Sequence, residues 1–151
     1  MLPLHYNSNM DMLPTLTFRR ANLSDADALR TLWPHLTPTE AHARLQRRGV
    51  WIVLGFWGSA LVCGGELTRC GRRLEIANVV VLPGWRRRGV GAALVDHLCA
   101  VAQRWRVPSV QLTVEEANAA ALALYARCGF EICGALAVTP SNRLLVMERS
   151  L

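Results

Sequence analysis

The chain has 151 residues, of which 52% are hydrophobic and 19% charged. That is length and apolar content for one packed domain, and it excludes a disordered chain. Seventeen basic residues against 11 acidic ones give a formal charge of +6, which calls for an anionic partner without distinguishing nucleic acid, a membrane surface or a phosphorylated small molecule.

Residues 1–15 carry neither the charged region nor the apolar block of a signal peptide. They are read as a flexible N-terminal extension, with Met12 as an alternative to Met1 as the start, and residues 16–151 as the domain. Leu16 to Arg20 alternates apolar and polar residues and predicts a first strand. Ser24 is then the expected cap of a helix whose first turn holds Asp25 and Asp27 and which stops near Pro34. Thr37, Pro38 and Glu40 form a capping-box pattern for a second helix, expected to end at Gly49. From Val50 the composition becomes β-branched and aromatic, and GlySer at 58–59 is a hairpin signal between two strands. A turn at Gly71 and Arg72 leads into a further strand over residues 74–82.

After Gly89 the spacing turns helical, with Val90, Leu94, His97, Leu98 and Val101 on one face. ValGlnLeuThrVal at 110–114 is a short fifth strand. Asn118 to Cys128 is an alanine-rich helix closed by Gly129, and two strands end the chain. The order β α α β β β α β α β β points to a single α/β domain with a mixed sheet. No run reaches the ~18 consecutive apolar residues of a membrane helix. The five cysteines at 63, 70, 99, 128 and 133 form no CxxC pair and have no histidine at metal spacing. They read as reduced thiols, four of them in apolar surroundings, of a cytoplasmic protein that needs no metal.

The chemistry concentrates where the fourth strand meets the third helix. A strand feeding a glycine turn and a helix makes an anion site, because amides of the first helical turn lack intrahelical partners and the helix dipole adds positive charge. Gly89 and Gly91 would let phosphate oxygens approach those amides without a Cβ in the way. Arg86, Arg87 and Arg88 strengthen the field, so a pyrophosphate is the natural ligand. A dinucleotide fingerprint fails here, since Leu94 stands at its third glycine and the preceding strand belongs to an antiparallel meander. The phosphate loop of nucleotide hydrolases fails as well, because the turn has no lysine.

ValLeuProGlyTrpArgArgArgGlyValGly, residues 81–91, resembles the acyl-CoA signature of the GNAT superfamily of N-acyltransferases: Val-x-Pro, an aromatic residue, then Arg/Gln-x-x-Gly-x-Gly/Ala. AsnAlaAlaAlaLeuAlaLeuTyrAlaArgCysGlyPhe, residues 118–130, is similar to that family's second motif, and the likeness extends over nearly all of residues 16–151. The resemblance implies a GNAT fold, a mixed and mostly antiparallel sheet flanked by helices with a splay between the fourth and fifth strands. It also implies acetyl-CoA as acyl donor. The pantetheine arm would run along the backbone of Val79, Val80 and Val81, with the Val81 amide near the thioester oxygen. The pyrophosphate would sit on the amides of Arg87, Arg88, Gly89, Val90, Gly91 and Ala92, with Arg86, Arg87 and Arg88 reaching phosphates and Asn118 contacting pantetheine.

Tyr125 falls where the family keeps the tyrosine that protonates the departing thiolate. Glu75, on the fourth strand, stands where some members keep a glutamate that deprotonates the amine through water, and Glu66 is its rival. The implied activity is direct transfer of an acetyl group to a primary amine, on a small molecule or a protein N-terminus. The alternative is a CoA-binding sensor or scaffold without turnover. Enzymes acetylating N-termini tend to carry a glutamate where this chain has Thr113. A homodimer is compatible with the sequence. A nucleic-acid partner is not expected, because no stripe of interleaved aromatic and basic residues accompanies the arginine turn.

Overall fold

The computed structural model describes residues 15–151. The expected extension and the choice between Met1 and Met12 lie outside the described residues, apart from Thr15. Seven strands form one sheet: β1 (Leu16–Arg20), β2 (Val50–Trp57), β3 (Ala60–Cys70), β4 (Arg73–Val81), β5 (Ser109–Glu115), β6 (Glu131–Thr139) and β7 (Asn142–Ser150). Four helices flank it: α1 (Ala26–Leu32), α2 (Pro38–Gln46), α3 (Val90–Arg104) and α4 (Ala119–Arg127). The strand order is β1-β2-β3-β4-β5-β7-β6. Every pairing is antiparallel except β4 with β5, which is parallel. This is the α/β GNAT architecture that the resemblance implied.

The core divides by sheet face, as strand alternation requires. Ile52 and Leu54 of β2 pack with Leu29, Leu32, Trp33 and Leu36 beneath α1 and α2. Val53, Leu67, Leu74 and Ile76 pack with Leu94, Val95, Leu98 and Val101 of α3, joined by Val110, Leu112 and Met147. The helical face expected on α3 is the buried one, and His97 at its margin stacks on Phe18 with centroids 4.8 Å apart.

Three local expectations change. Asn22, not Ser24, is the first cap: its side chain accepts from the Ser24 N–H at 2.9 Å while Asp25 accepts from the Asn22 N–H at 2.7 Å. This reciprocal box opens a 3-10 turn, Leu23–Asp25, ahead of α1. The Thr37–Glu40 box starts α2 as expected, but the helix ends at Gln46, and Gly49 instead closes the following loop with φ +77°. Of the five thiols, Cys63, Cys99 and Cys128 are buried, whereas Cys70 and Cys133 at strand margins are exposed.

The β4 strand carries the features that position the site. It pairs with β5 only through Leu74↔Val110 and Glu75↔Gln111, after which the two strands part. On its other side the register with β3 slips between Gly64 and Glu66, and Asn78 sits at φ +53°. A bulge of this kind adds local twist and re-aims the residues that follow.

Candidate active site

The splay leaves one side of the end of β4 without a strand partner. Leu82 donates its N–H to the Val62 carbonyl at 2.9 Å, and Val80 stands opposite Gly64. Hydrogen-bonding direction alternates along an antiparallel strand. Val80 therefore spends its backbone on β3, while Val79 and Val81 turn theirs into the splay. Of the three valines singled out from the sequence, these two offer main-chain groups to an extended ligand; Val80 contributes its side chain to the core beneath α1 and α2.

The splay opens onto the start of α3. Gly89 is the N-cap residue with φ +78°, and no side chain caps the helix, so its first-turn amides remain available to an anion. A Cβ added to Gly89 would meet no heavy atom within 4 Å: this glycine borders open space. Gly91 differs from expectation. Its added Cβ would lie 3.4 Å from Leu124 Cδ2 and 3.6 Å from Val81 Cγ2, at ordinary contact distance, so this glycine faces α4 and β4 and not open space. The amide of Gly91 stays in the first turn, but the open approach belongs to Gly89 alone.

The three arginines behave differently from one another. Arg86 folds back and donates from Nε to the Val81 carbonyl at 3.1 Å, tying the turn to the end of β4. Arg88 places its guanidinium 5.2 Å from the Trp85 ring centre, and Trp85 in turn leans on Trp57 at 5.7 Å. Arg87 sits at φ +62° and is exposed. That conformation costs a non-glycine residue about 1–2 kcal/mol, and it belongs to the same tight turn as Gly89.

Helix α4 closes the cradle from the side. Asn118 caps it, with Oδ1 accepting from the Ala121 N–H at 3.1 Å. The capping role uses the carbonyl oxygen and leaves the side-chain amide N–H2 for other partners. Tyr125 packs its ring edge-on against Phe130 at 6.0 Å, one residue from the Leu124 that faces Gly91. Burial, with a smaller contribution from the Cys128 thiol, raises the Tyr125 phenol above its ordinary value. Burial keeps this phenol protonated at neutral pH, so a proton is available there, while making it a weaker acid than a free phenol.

The two glutamates separate. Glu75 is half-buried at the closed end of the splay, opposite Gln111. Val79 is four positions further along the strand, about 13 Å at the usual rise. Side chains of Glu75, Gln111, Glu148 and Glu131 fall in one cross-strand row on the sheet face away from α3. Glu66 is buried, with 4% exposure. Its Oε2 accepts from Asn78 Nδ2 at 2.9 Å, and Oε1 lies 3.3 Å from Arg44 Nε of α2. Sequence reasoning missed this lock: Glu66 holds the positive-φ residue that makes the bulge, immediately before Val79. Among the described residues, no three His, Cys, Asp or Glu side chains converge as metal ligands.

The sequence matches the family described as Acetyltransferase (GNAT) family over residues 19–130, and the chain belongs to that family. A 53-residue stretch is 42% identical to the [Ribosomal protein bS18]-alanine N-acetyltransferase of Escherichia coli (strain K12), covering 35% of this chain and 36% of that protein. A 63-residue stretch is 36% identical to the streptothricin acetyltransferase of Streptomyces lavendulae, covering 42% of this chain and 33% of that protein. The matched stretches thus span about a third of each curated relative. Among solved structures, a ribosomal-protein-alanine N-acetyltransferase from Brucella melitensis superposes with a TM-score of 0.79 at 23% identity, covering 89% of this chain and 99% of the other. The paia N-acetyltransferase from Thermoplasma acidophilum in complex with coenzyme A gives 0.73 at 13% identity, covering 91% and 99%. These likenesses bear on the fold.

Proposed function

We propose that the chain moves an acetyl group from acetyl-CoA to a primary amine by direct attack within a ternary complex. The observation that carries this reading is the β4–β5 splay, lined by the backbone of Val79 and the amide of Val81 and opening onto the uncapped start of α3. A pantetheine arm pairs with a strand edge of that kind, and a pyrophosphate suits first-turn amides beside a glycine that borders open space. Arg87 and Arg88 are the phosphate-facing arginines: Arg86 Nε is engaged by the Val81 carbonyl, whereas the Trp85 ring leaves the Arg88 N–H groups free. Asn118 keeps its side-chain N–H2 for the pantetheine.

In the reaction the amine nitrogen bonds to the thioester carbonyl carbon, and the C–S bond then breaks. The splay-facing amide of Val81 stabilises the oxygen that gains charge. Tyr125 gives its hydroxyl proton to the departing thiolate. The amine proton leaves through water to Glu75; Glu66 is engaged by Asn78 and Arg44 and serves the bulge. Relatives named for a ribosomal-protein alanine and for streptothricin leave both acceptor classes, a protein N-terminus and a small-molecule amine, within the proposal. The absence of a glutamate at Thr113 favours the small molecule. A cytoplasmic setting, where acetyl-CoA is made and thiols stay reduced, fits the three buried cysteines.

The deciding experiment pairs CoA binding with turnover across amino acids, amines, antibiotics and peptide N-termini. Tyr125→Phe lowers kcat by about 100-fold or more while CoA affinity holds. Equal turnover would remove Tyr125 from the mechanism, and CoA binding without turnover on any amine would favour the sensor instead. Glu75→Gln lowers kcat/KM most at low pH, where less free amine is present; an unchanged pH profile would return the proton to bulk water.

A further inference from the structure

The end of the sheet remote from the splay holds a cavity of about 460 Å³ lined by Arg20, Gly49, Val50, Trp51, Arg69 and Trp105. It lies at the far end of α3, whose 15 residues separate Trp105 from Gly89 by about 22 Å. We propose that this cavity is a second binding site, for a small aromatic anion: a planar ring carrying a phosphate or carboxylate.

Its walls are chemically unlike an ordinary surface dent. The Arg20 guanidinium stands 3.8 Å from the Trp51 ring centre, and Trp51 meets Trp105 edge-on at 5.0 Å and 78°. Stacking fixes the guanidinium plane and leaves its N–H edge free for an anion. Arg69 is anchored through its backbone, donating its N–H to the Gly49 carbonyl at 2.8 Å, so its side chain is placed against that loop. The ion pairs among the described residues engage Arg19, Arg44, Arg143 and Arg149, and neither Arg20 nor Arg69. The nearest acidic strand residue, Glu75, projects from the opposite sheet face, because Leu74 and Ile76 on either side of it point into the α3 core. Arg47 and Arg48 precede Gly49, and Arg104 and Arg106 flank Trp105, so basic residues concentrate in the segments that meet here.

Two cations engaged in no ion pair among the described residues, beside two indoles, match a ligand having both negative charge and a π face. The volume lies in the range of small-molecule sites, which favours a single-ring ligand over an extended strand of nucleic acid.

Phenyl phosphate is the probe, titrated into the full chain saturated with CoA, with the indole N–H resonances followed by NMR and assigned through Trp51→Phe and Trp105→Phe. The expected result is a saturable shift of the Trp51 and Trp105 signals. Binding weakens at least about tenfold for inorganic phosphate or phenol alone, and equally in Arg69→Gln or Arg20→Gln. No shift up to about 10 mM phenyl phosphate overturns the proposal, as does undiminished binding in both arginine variants. Tighter binding of a single-stranded oligonucleotide than of phenyl phosphate also overturns it, in favour of a nucleic-acid surface. Because the cradle is filled with CoA throughout, failure here leaves the acetyl-transfer reading intact, and failure of that reading leaves these signals unaffected.

Discussion

At the scale of single residues, the informative side chains are the buried charged ones. Glu66 is nearly inaccessible, and its Oε1 and Arg44 Nη1 are both buried without a hydrogen bond, even though the two groups form an ion pair. An imperfectly satisfied buried pair is a poor source of stability, but removing one partner strands the other. Arg44→Met is therefore expected to cost about 3 kcal/mol in urea unfolding, with much of that loss recovered in the double variant Arg44→Met/Glu66→Gln. Additive losses would mean the two groups do not act as a pair. The same reasoning explains why Glu66 was a plausible base on sequence and is a lock in the structure. A carboxylate in a strand reads alike whether it meets solvent or an arginine from a helix 22 positions earlier. Tyr125, by contrast, is marked by a motif, and the structure adds its packing against Phe130 and its burial. Asp25 lay between: its place in a first helical turn was visible, but its bidentate pair with Arg19, at 2.7 and 2.8 Å, depends on β1 lying beside the turn.

At the scale of elements, periodicity located the strands and helices because each has one buried face. The capping signals placed α2, α3 and α4 to within a few residues. Pairing irregularities left no such trace. The bulge at Asn78 and the parting of β4 from β5 are defined by what lies on neighbouring strands, and no local pattern within LeuGluIleAlaAsnValValVal distinguishes a bulged strand from a straight one. The two glycines of the α3 turn make the same point, since adjacent members of one motif do different jobs. Gly89 adopts φ +78° beside open space, so Gly89→Ala introduces backbone strain of about 1 kcal/mol and a methyl group where the anion approaches. Its expected signature is a small loss of stability without ligand and a much larger loss of the thermal shift that CoA produces. Gly91→Ala puts its methyl at ordinary contact distance from Leu124 and Val81, away from open space, and is expected to leave the free protein and its CoA response nearly unchanged. If both variants lose stability and CoA response in the same proportion, the division of labour is wrong.

At the scale of the whole molecule, buried ionisable groups set a pH dependence with a definite sign. Burial pushes the Cys63 thiol up to about 12 and the Cys99 thiol up to about 11, from an ordinary 9.0. Each native thiol keeps its proton after its unfolded counterpart has lost it, so the folded state binds more protons across this interval. Stability is then fully present below pH 9 and falls as pH rises toward 11 and 12. The raised Tyr125 phenol adds to the same decline at its upper end. Urea unfolding at pH 8 and pH 10.5 is expected to show the drop, and Cys63→Ala should flatten it even though the variant is less stable at both values. A flat profile in the parent protein would overturn the assignment.

The sheet itself is two antiparallel halves, β1 to β4 and β5 to β6, joined through only two parallel residue pairs. A ligand strand lying in the splay would hydrogen-bond where β4 and β5 do not, and would brace one half against the other. Saturation at a hundredfold excess over Kd stabilises the native state by about 2.7 kcal/mol, a Tm increase of roughly 5–10 °C for a domain of this size. Added stability alone would slow exchange only at amides that open by global unfolding. Bracing the splay predicts something more local: CoA slows hydrogen exchange most at Val79, Val81 and the Val90–Ala92 turn, with a lesser effect on β5 and little change in the β1–β2 pair. Uniform protection, or protection confined to the α3 turn with Val79 and Val81 unaffected, would show the cofactor held by its phosphates alone, with the splay playing no part in binding the arm that carries the acyl group.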